Sequence, residues 1–78
     1  MLDLKEVLYG IARAIVDNPD EVTVTSTEDD DSVTLTLNVA EGDMGLVIGR
    51  HGRIAKAIRT VIKAASVSSG KRVNVDIR

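Results

Sequence analysis

Cysteine, phenylalanine and tryptophan are absent from these 78 residues, and proline, histidine and tyrosine occur once each. Without thiols there is no disulfide framework, no thiolate zinc site and no cysteine nucleophile, and a reducing compartment suits such a chain. With Tyr9 as its one aromatic, the chain has no platform on which successive bases could stack. No apolar run approaches the ~18 residues of a membrane span. The opening Met-Leu-Asp-Leu-Lys-Glu lacks the basic and apolar regions of a signal peptide. These absences predict a soluble cytoplasmic protein with no membrane insertion. What the chain does have is aliphatic: hydrophobic residues make up 44% of it, an ordinary globular share that argues against disorder. A chain of this length has room for a single hydrophobic core, so residues 1–78 read as one domain, burying only about 60% of its unfolded surface.

The formal net charge of −2 hides an asymmetry. Residues 1–48 carry eleven acidic side chains and two basic ones, a balance of −9, whereas residues 49–78 carry eight basic and one acidic, a balance of +7. A basic half of this kind suits an anionic partner, and two halves that neutralise each other on folding are the plainer alternative.

Hydrophobic spacing divides the chain into six elements. Asp3, with Glu6 three places on, starts a helix in the manner of a capping box, and Leu4, Val7, Leu8, Ile11, Ala14 and Ile15 form its apolar stripe. Asn18-Pro19 stops it. Residues Val22 to Thr27 and Val33 to Val39 alternate with period two as two strands, joined by a solvated turn at Glu28 to Ser32. Val22, Val24, Val33, Leu35, Leu37 and Val39 are their buried face. Glu41-Gly-Asp43 breaks the second strand, and Asp43 is placed to cap a short helical turn over Met44 to Ile48. A second long helix runs from Arg53 to about Ser68, with Ile54, Ala55, Ile58, Val61, Ile62 and Ala65 as its apolar face. Arg53, Lys56, Arg59, Thr60 and Lys63 lie on the opposite arc. Ser68-Ser-Gly70 ends this helix, with Gly70 as a left-handed cap. Arg72 to Arg78 alternates as a third strand. The order α-β-β-α-α-β, with one apolar face per element, predicts a two-layer α+β sandwich.

Val47-Ile-Gly-Arg-His-Gly-Arg-Ile54 is the segment most suited to binding. Its two glycines permit close approach of another backbone, and the turn feeds a helix N-terminus, where free amides and the dipole favour an anion. That helix opens with arginine where acidic residues are the rule, a local conflict typical of functional sites. A second G-x-x-G, Gly42-Asp-Met-Gly45, follows a strand, carries an acid and leads into apolar residues, so it reads as a turn and cap.

Val47-Ile48-Gly49-Arg50-His51-Gly52 resembles the core of the KH domain, whose pattern is V-I-G-x-x-G-x-x-I. The final isoleucine departs from it: position 55 is alanine and Ile54 comes one place early, which leaves the packing of the first helical turn open. The element order is similar to the type II KH fold, a three-stranded sheet with three helices on one face. Residues 52–65, Gly-Arg-Ile-Ala-Lys-Ala-Ile-Arg-Thr-Val-Ile-Lys-Ala-Ala, resemble more specifically the KhpA family of small bacterial single-domain KH proteins. The resemblance implies that Gly49, Arg50, His51 and Gly52 hold the backbone of about four nucleotides of single-stranded RNA, with bases in a groove beside the loop. Ile48, Arg53 and Lys56 complete the expected RNA-binding set. It further implies an RNA chaperone or post-transcriptional regulator, a larger KH partner, KhpB (Jag-like), a homodimer, and links to cell-wall and cell-shape regulation. The apolar surface for assembly is expected among the exposed residues of the Met44–Ile48 helix.

No catalytic constellation is present. His51 has no second histidine, cysteine or placed carboxylate, which excludes a metal site or general base built on it. Ser66, Ser68 and Ser69 lack a nucleophile elbow and read as helix-end residues. Glu28 to Asp31 are consecutive rather than spaced as in a calcium loop, and the glycine loop has no Lys-Ser/Thr sequel. The sequence therefore predicts no enzyme, no cofactor and no small-molecule substrate. Three readings remain: a single-stranded RNA module, a protein-interaction module that mainly docks KhpB or a second copy, and a single-stranded DNA binder, since no identifiable residue reads the 2′-hydroxyl.

Overall fold

The computed structural model describes residues 3–67 and 70–78. Helix α1 spans Leu4–Ile15, and Asp3 caps it through its carboxylate, which accepts from Lys5 N and Glu6 N at 3.1 and 3.5 Å. Strands β1 (Thr23–Glu28) and β2 (Ser32–Asn38) pair antiparallel, and β3 (Arg72–Ile77) runs parallel to β2 on its other side, so the order is β1-β2-β3. Between β2 and β3 lie α2 (Met44–Ile48) and α3 (Arg53–Ala65). A parallel pair needs a crossover of this kind; α3 packs on β3 and α1 on β1 and β2, while α2 packs against α1 and α3. This is the expected α-β-β-α-α-β order of the type II KH fold.

Leu8, Ala12, Val22, Val24, Leu35, Leu37, Val47, Ala55, Ile58, Ile62 and Val73 are buried between the layers. All six expected strand residues contribute, with Val33 and Val39 half-buried at the margin. In α1 the expected Ala14 is exposed and Ala12 is fully buried instead. Both lie about 80° from Leu4 on a helical wheel, on opposite sides, and the packed side is that of Leu8. The apolar face of α3 is also narrower than its sequence stripe. Ala55, Ile58 and Ile62 are buried, but Ile54 and Val61 stay 38% and 48% exposed.

Two expected caps are not made. Asp43 does not cap α2: no side-chain bond reaches that helix, and the residue is 2% exposed with its carboxylate turned toward the α1–β1 connection. There it accepts from Asn18 N at 2.9 Å and from Asn18 Nδ2 at 3.1 Å. Burial of a carboxylate demands partners, and the Asn18 amides supply them. Helix α3 ends at Ala65, with Ser66 as its C-cap, and the Ser66 hydroxyl donates to Lys63 O at 2.7 Å. Gly70 does have a positive φ of 73°, but it follows too late to terminate α3. The Ser68–Ser69 part of that expectation lies outside the described residues.

Candidate nucleic-acid interface

Helix α2 is only five residues long and closes on Gly49, whose N–H donates to Gly45 O at 2.9 Å. Gly49 has φ 76° and ψ 172°, a region open essentially to glycine alone. A Cβ there would also overlap the Ile54 side chain, lying 2.9 Å from its Cβ. Ile54 therefore lies over Gly49, while the next residue, Ala55, enters the core. This resolves the packing left open by the shifted isoleucine: alanine takes the core position, and isoleucine braces the turn from outside.

Arg50–Gly52 form a single 3₁₀ turn, closed by Gly52 N donating to Gly49 O at 3.1 Å. His51 has φ 58° and Gly52 φ 73°, two successive left-handed residues. For histidine that conformation costs roughly 1–2 kcal/mol. Strain of this size at an exposed loop residue is characteristic of functional sites. The turn delivers the chain directly into α3, whose N-cap, Gly52, offers no side chain to the first-turn amides.

The expected residues fall on one continuous segment. Ile48 and Gly52 are half-buried, and Arg50, His51, Arg53 and Lys56 are exposed. Among the described residues the ion pairs are Lys71 with Glu28 at 2.7 Å and Arg78 with Asp76 at 2.9 Å. Neither draws a base from the loop or from α3. Mutual neutralisation of the two halves thus reaches the hairpin end of the molecule and leaves the α3 cations uncompensated at contact distance.

One part of this surface lies outside the expected RNA-binding set. Arg59 and Lys63 continue the basic arc of Arg53 and Lys56 and line a groove of about 160 Å³ with Val73, Asn74 and Val75 of β3. Arg72 N bonds Asp31 O and Arg78 N bonds Leu37 O, so even-numbered residues of β3 turn their backbone toward β2. With period two, Val73, Val75 and Ile77 present theirs to the open edge. Arg59 Nε donates to Val75 O at 3.3 Å, tying α3 to that edge. The arginine and lysine were legible from helical spacing; that β3 is an edge strand was not. Thr60, on the same arc, turns its hydroxyl back onto Lys56 O at 3.0 Å.

The glycine turn between α2 and α3 and the arginine-led α3 lie where the KH resemblance puts its loop, and Ile54 over Gly49 is this chain's departure from that pattern. The family model for the KH domain of KhpA/KhpB matches residues 5–77. The chain belongs to the KhpA/KhpB KH-domain family. Its KhpA relatives include the RNA-binding protein KhpA of Clostridium acetobutylicum, 57% identical over 74 residues, covering 95% of this chain and 99% of that protein. The KhpA of Clostridium perfringens is 49% identical with the same coverage, and that of Listeria monocytogenes is 42% identical, covering 95% of this chain and 97% of the relative. Among solved structures, Era of Aquifex aeolicus superposes with a TM-score of 0.70 at 16% identity, covering 95% of this chain and 29% of Era. Era in complex with nucleotides 1506–1542 of 16S ribosomal RNA aligns equally well, with a TM-score of 0.70. At that identity the likeness to Era concerns the fold. Among the described residues no helix is long and apolar enough to cross a membrane, and no cluster of three metal-ligating side chains occurs.

Proposed function

We propose that the chain acts as one KH domain and binds single-stranded RNA through the turn Ile48–Gly52 and the first turns of α3. The observation that carries this reading is the turn itself. Glycine at 49 is held against Ile54, His51 is held in a strained conformation, and Arg50, Arg53 and Lys56 stand exposed around it without ion-pair partners among the described residues. Phosphates would meet the Arg50 and Arg53 guanidinium groups beside the α3 N-terminus, where dipole and free amides add to the attraction. Bases would lie along the α3–β3 groove past Lys56 and Arg59. The curated relatives are RNA-binding proteins by name, which supports RNA over DNA as the ligand.

A groove for about four nucleotides binds weakly alone, and a second module on the same RNA multiplies avidity. The proposal therefore includes assembly with a second copy, and with the KH domain of a KhpB (Jag-like) partner as the family resemblance implies. Exposed Leu46, Ile54, Val61 and Val67 are apolar side chains available for it. The setting is cytoplasmic, the role that of an RNA chaperone or post-transcriptional regulator, and the cell-wall and cell-shape links are those the resemblance carries.

The test replaces Arg50 and His51 together by aspartate and titrates matched RNA and DNA oligomers by fluorescence polarisation. Loss of RNA binding with an unchanged circular dichroism spectrum is the expected result. Unchanged affinity in the folded double variant would remove the loop from the site. In that case a protein-docking role becomes the better reading.

A further inference from the structure

The two basic residues of the acidic half are not scattered. Lys5 and Arg13 lie four residues to either side of Tyr9 on α1, so all three share one helix face. The Arg13 guanidinium stands 5.3 Å from the centroid of the Tyr9 ring. Lys5, Glu6 and Tyr9 line a cavity of about 320 Å³, closed on its other side by Val22, Thr23 and Val24. That wall is the start of β1, whose outer edge has no strand partner among the described residues. Tyr9 is half-buried, while Lys5, Glu6 and Arg13 are exposed. In the sheet order α1 lies on β1 and α3 on β3, the opposite edge, and the two helices also pack against each other.

We infer that this groove is a second nucleotide site, which takes one unpaired base of an RNA already held at the loop. The inference rests on the RNA-binding reading above. Arg13 covers one side of the Tyr9 ring, and the base stacks on the side that faces the cavity, making an arginine–tyrosine–base stack. Lys5 and Arg13 meet the flanking phosphates; in a half otherwise carrying eleven acids, no other cations are available for that work. Glu6 would repel a phosphate placed deep in the cavity, which orients the ligand with its base inward. Its carboxylate then accepts from an exocyclic amino group, as acidic side chains do from cytosine N4. Uracil lacks such a group and is the base the site discriminates against. One ring is not a stacking platform, but it suffices for one base.

The experiment compares fluorescein-labelled random-sequence RNAs of 4 and 12 nucleotides against wild type, Tyr9→Leu, Tyr9→Phe and the Lys5→Gln/Arg13→Gln double variant. The Arg50→Asp/His51→Asp variant serves as the loop control. Stacking of a base on one aromatic predicts that Tyr9→Leu weakens 12-nucleotide binding about tenfold and leaves 4-nucleotide binding unchanged. Tyr9→Phe should restore it, and the double variant, whose side chains are exposed, should reproduce the loss. Ultraviolet crosslinking of the 12-nucleotide RNA should label the peptide containing Tyr9. If Tyr9→Leu and the double variant both bind like wild type while the loop variant does not, this site is overturned and the loop stands. If wild type binds neither RNA, the RNA-binding reading fails and this site with it. A Tyr9→Leu protein that changes its sedimentation instead of its RNA affinity would make the groove a protein contact and overturn the proposal.

Discussion

Replacing Gly49 by alanine puts a methyl group into the volume occupied by the Ile54 side chain, in a backbone region that other residues avoid. Strain and overlap together should cost about 2–4 kcal/mol. Gly52→Ala meets no atom within 4 Å and bears only the left-handed penalty, about 1 kcal/mol. Urea denaturation of the two variants should rank them in that order, and equal losses would mean that Ile54 does not brace the turn. Asp43 gives a second residue-scale expectation. Asp43→Ala leaves the Asn18 N–H and side-chain amide without their acceptor, at a cost of about 2 kcal/mol. Asp43→Asn retains an oxygen and should lose less. This aspartate also shows where reading the sequence stops short. A strand-ending Gly-Asp before an apolar run is a local cap signal, and a partner 25 positions away leaves no local trace.

At the scale of the element, α3 carries two apolar arcs where its sequence shows one. Ile54 and Val61 are contiguous with Ile58 and Ile62 on the wheel, so spacing alone assigns all four to the core. How much of that arc is covered is decided by β3, α1 and α2, which pack against it. The basic arc opposite was legible, because charge at helical spacing needs no tertiary information. If Arg50, Arg53 and Lys56 meet about three phosphates, log K should fall against log salt with a slope of about −2. A flat dependence, measured by polarisation between low and moderate salt, would take the phosphates out of the account. The β1–β2 turn has its own chemistry. Asp29 accepts from Asp31 N, Ser32 N and the Ser32 hydroxyl, and these bonds, with Lys71 nearby, hold its carboxyl below the ordinary aspartate value. A lowered value means that the turn is favoured in full above the unfolded aspartate pKa, about 3.9, and loses that support as pH falls through the folded one. Amide shifts of Asp31 and Ser32 should therefore move together on acidification below about pH 4, and Asp29→Asn should abolish the transition.

For the whole molecule, the element order and the glycine loop were legible because each announces itself within a few residues. The α3–β3 groove was not, since it depends on which strand lies at the edge. Assembly belongs to this scale too. Sedimentation at micromolar concentration should show a dimer, and Val61→Glu, a change at an exposed position, should yield a folded monomer with weakened binding to long RNA. A wild-type monomer that binds a short RNA at nanomolar affinity would dispose of the idea.

The parallel pairing of β2 with β3 matches Val33 to Val73, forty positions apart, and the loop lies inside the span that this pairing closes. Contacts so distant in sequence form late, because the chain must first surrender the entropy of a long closure. The β1–β2 hairpin, which has a local turn, can form without it. If β3 docks last, the Gly49–Gly52 turn stays slack until then, and a half-folded chain would not grip a phosphate backbone. Pulse-labelling hydrogen exchange should find the hairpin amides protected first, with those of Gly49 and Gly52 appearing in the same kinetic phase as β3. Protection of the turn ahead of β3 would mean that Ile54 seats it without help from the sheet.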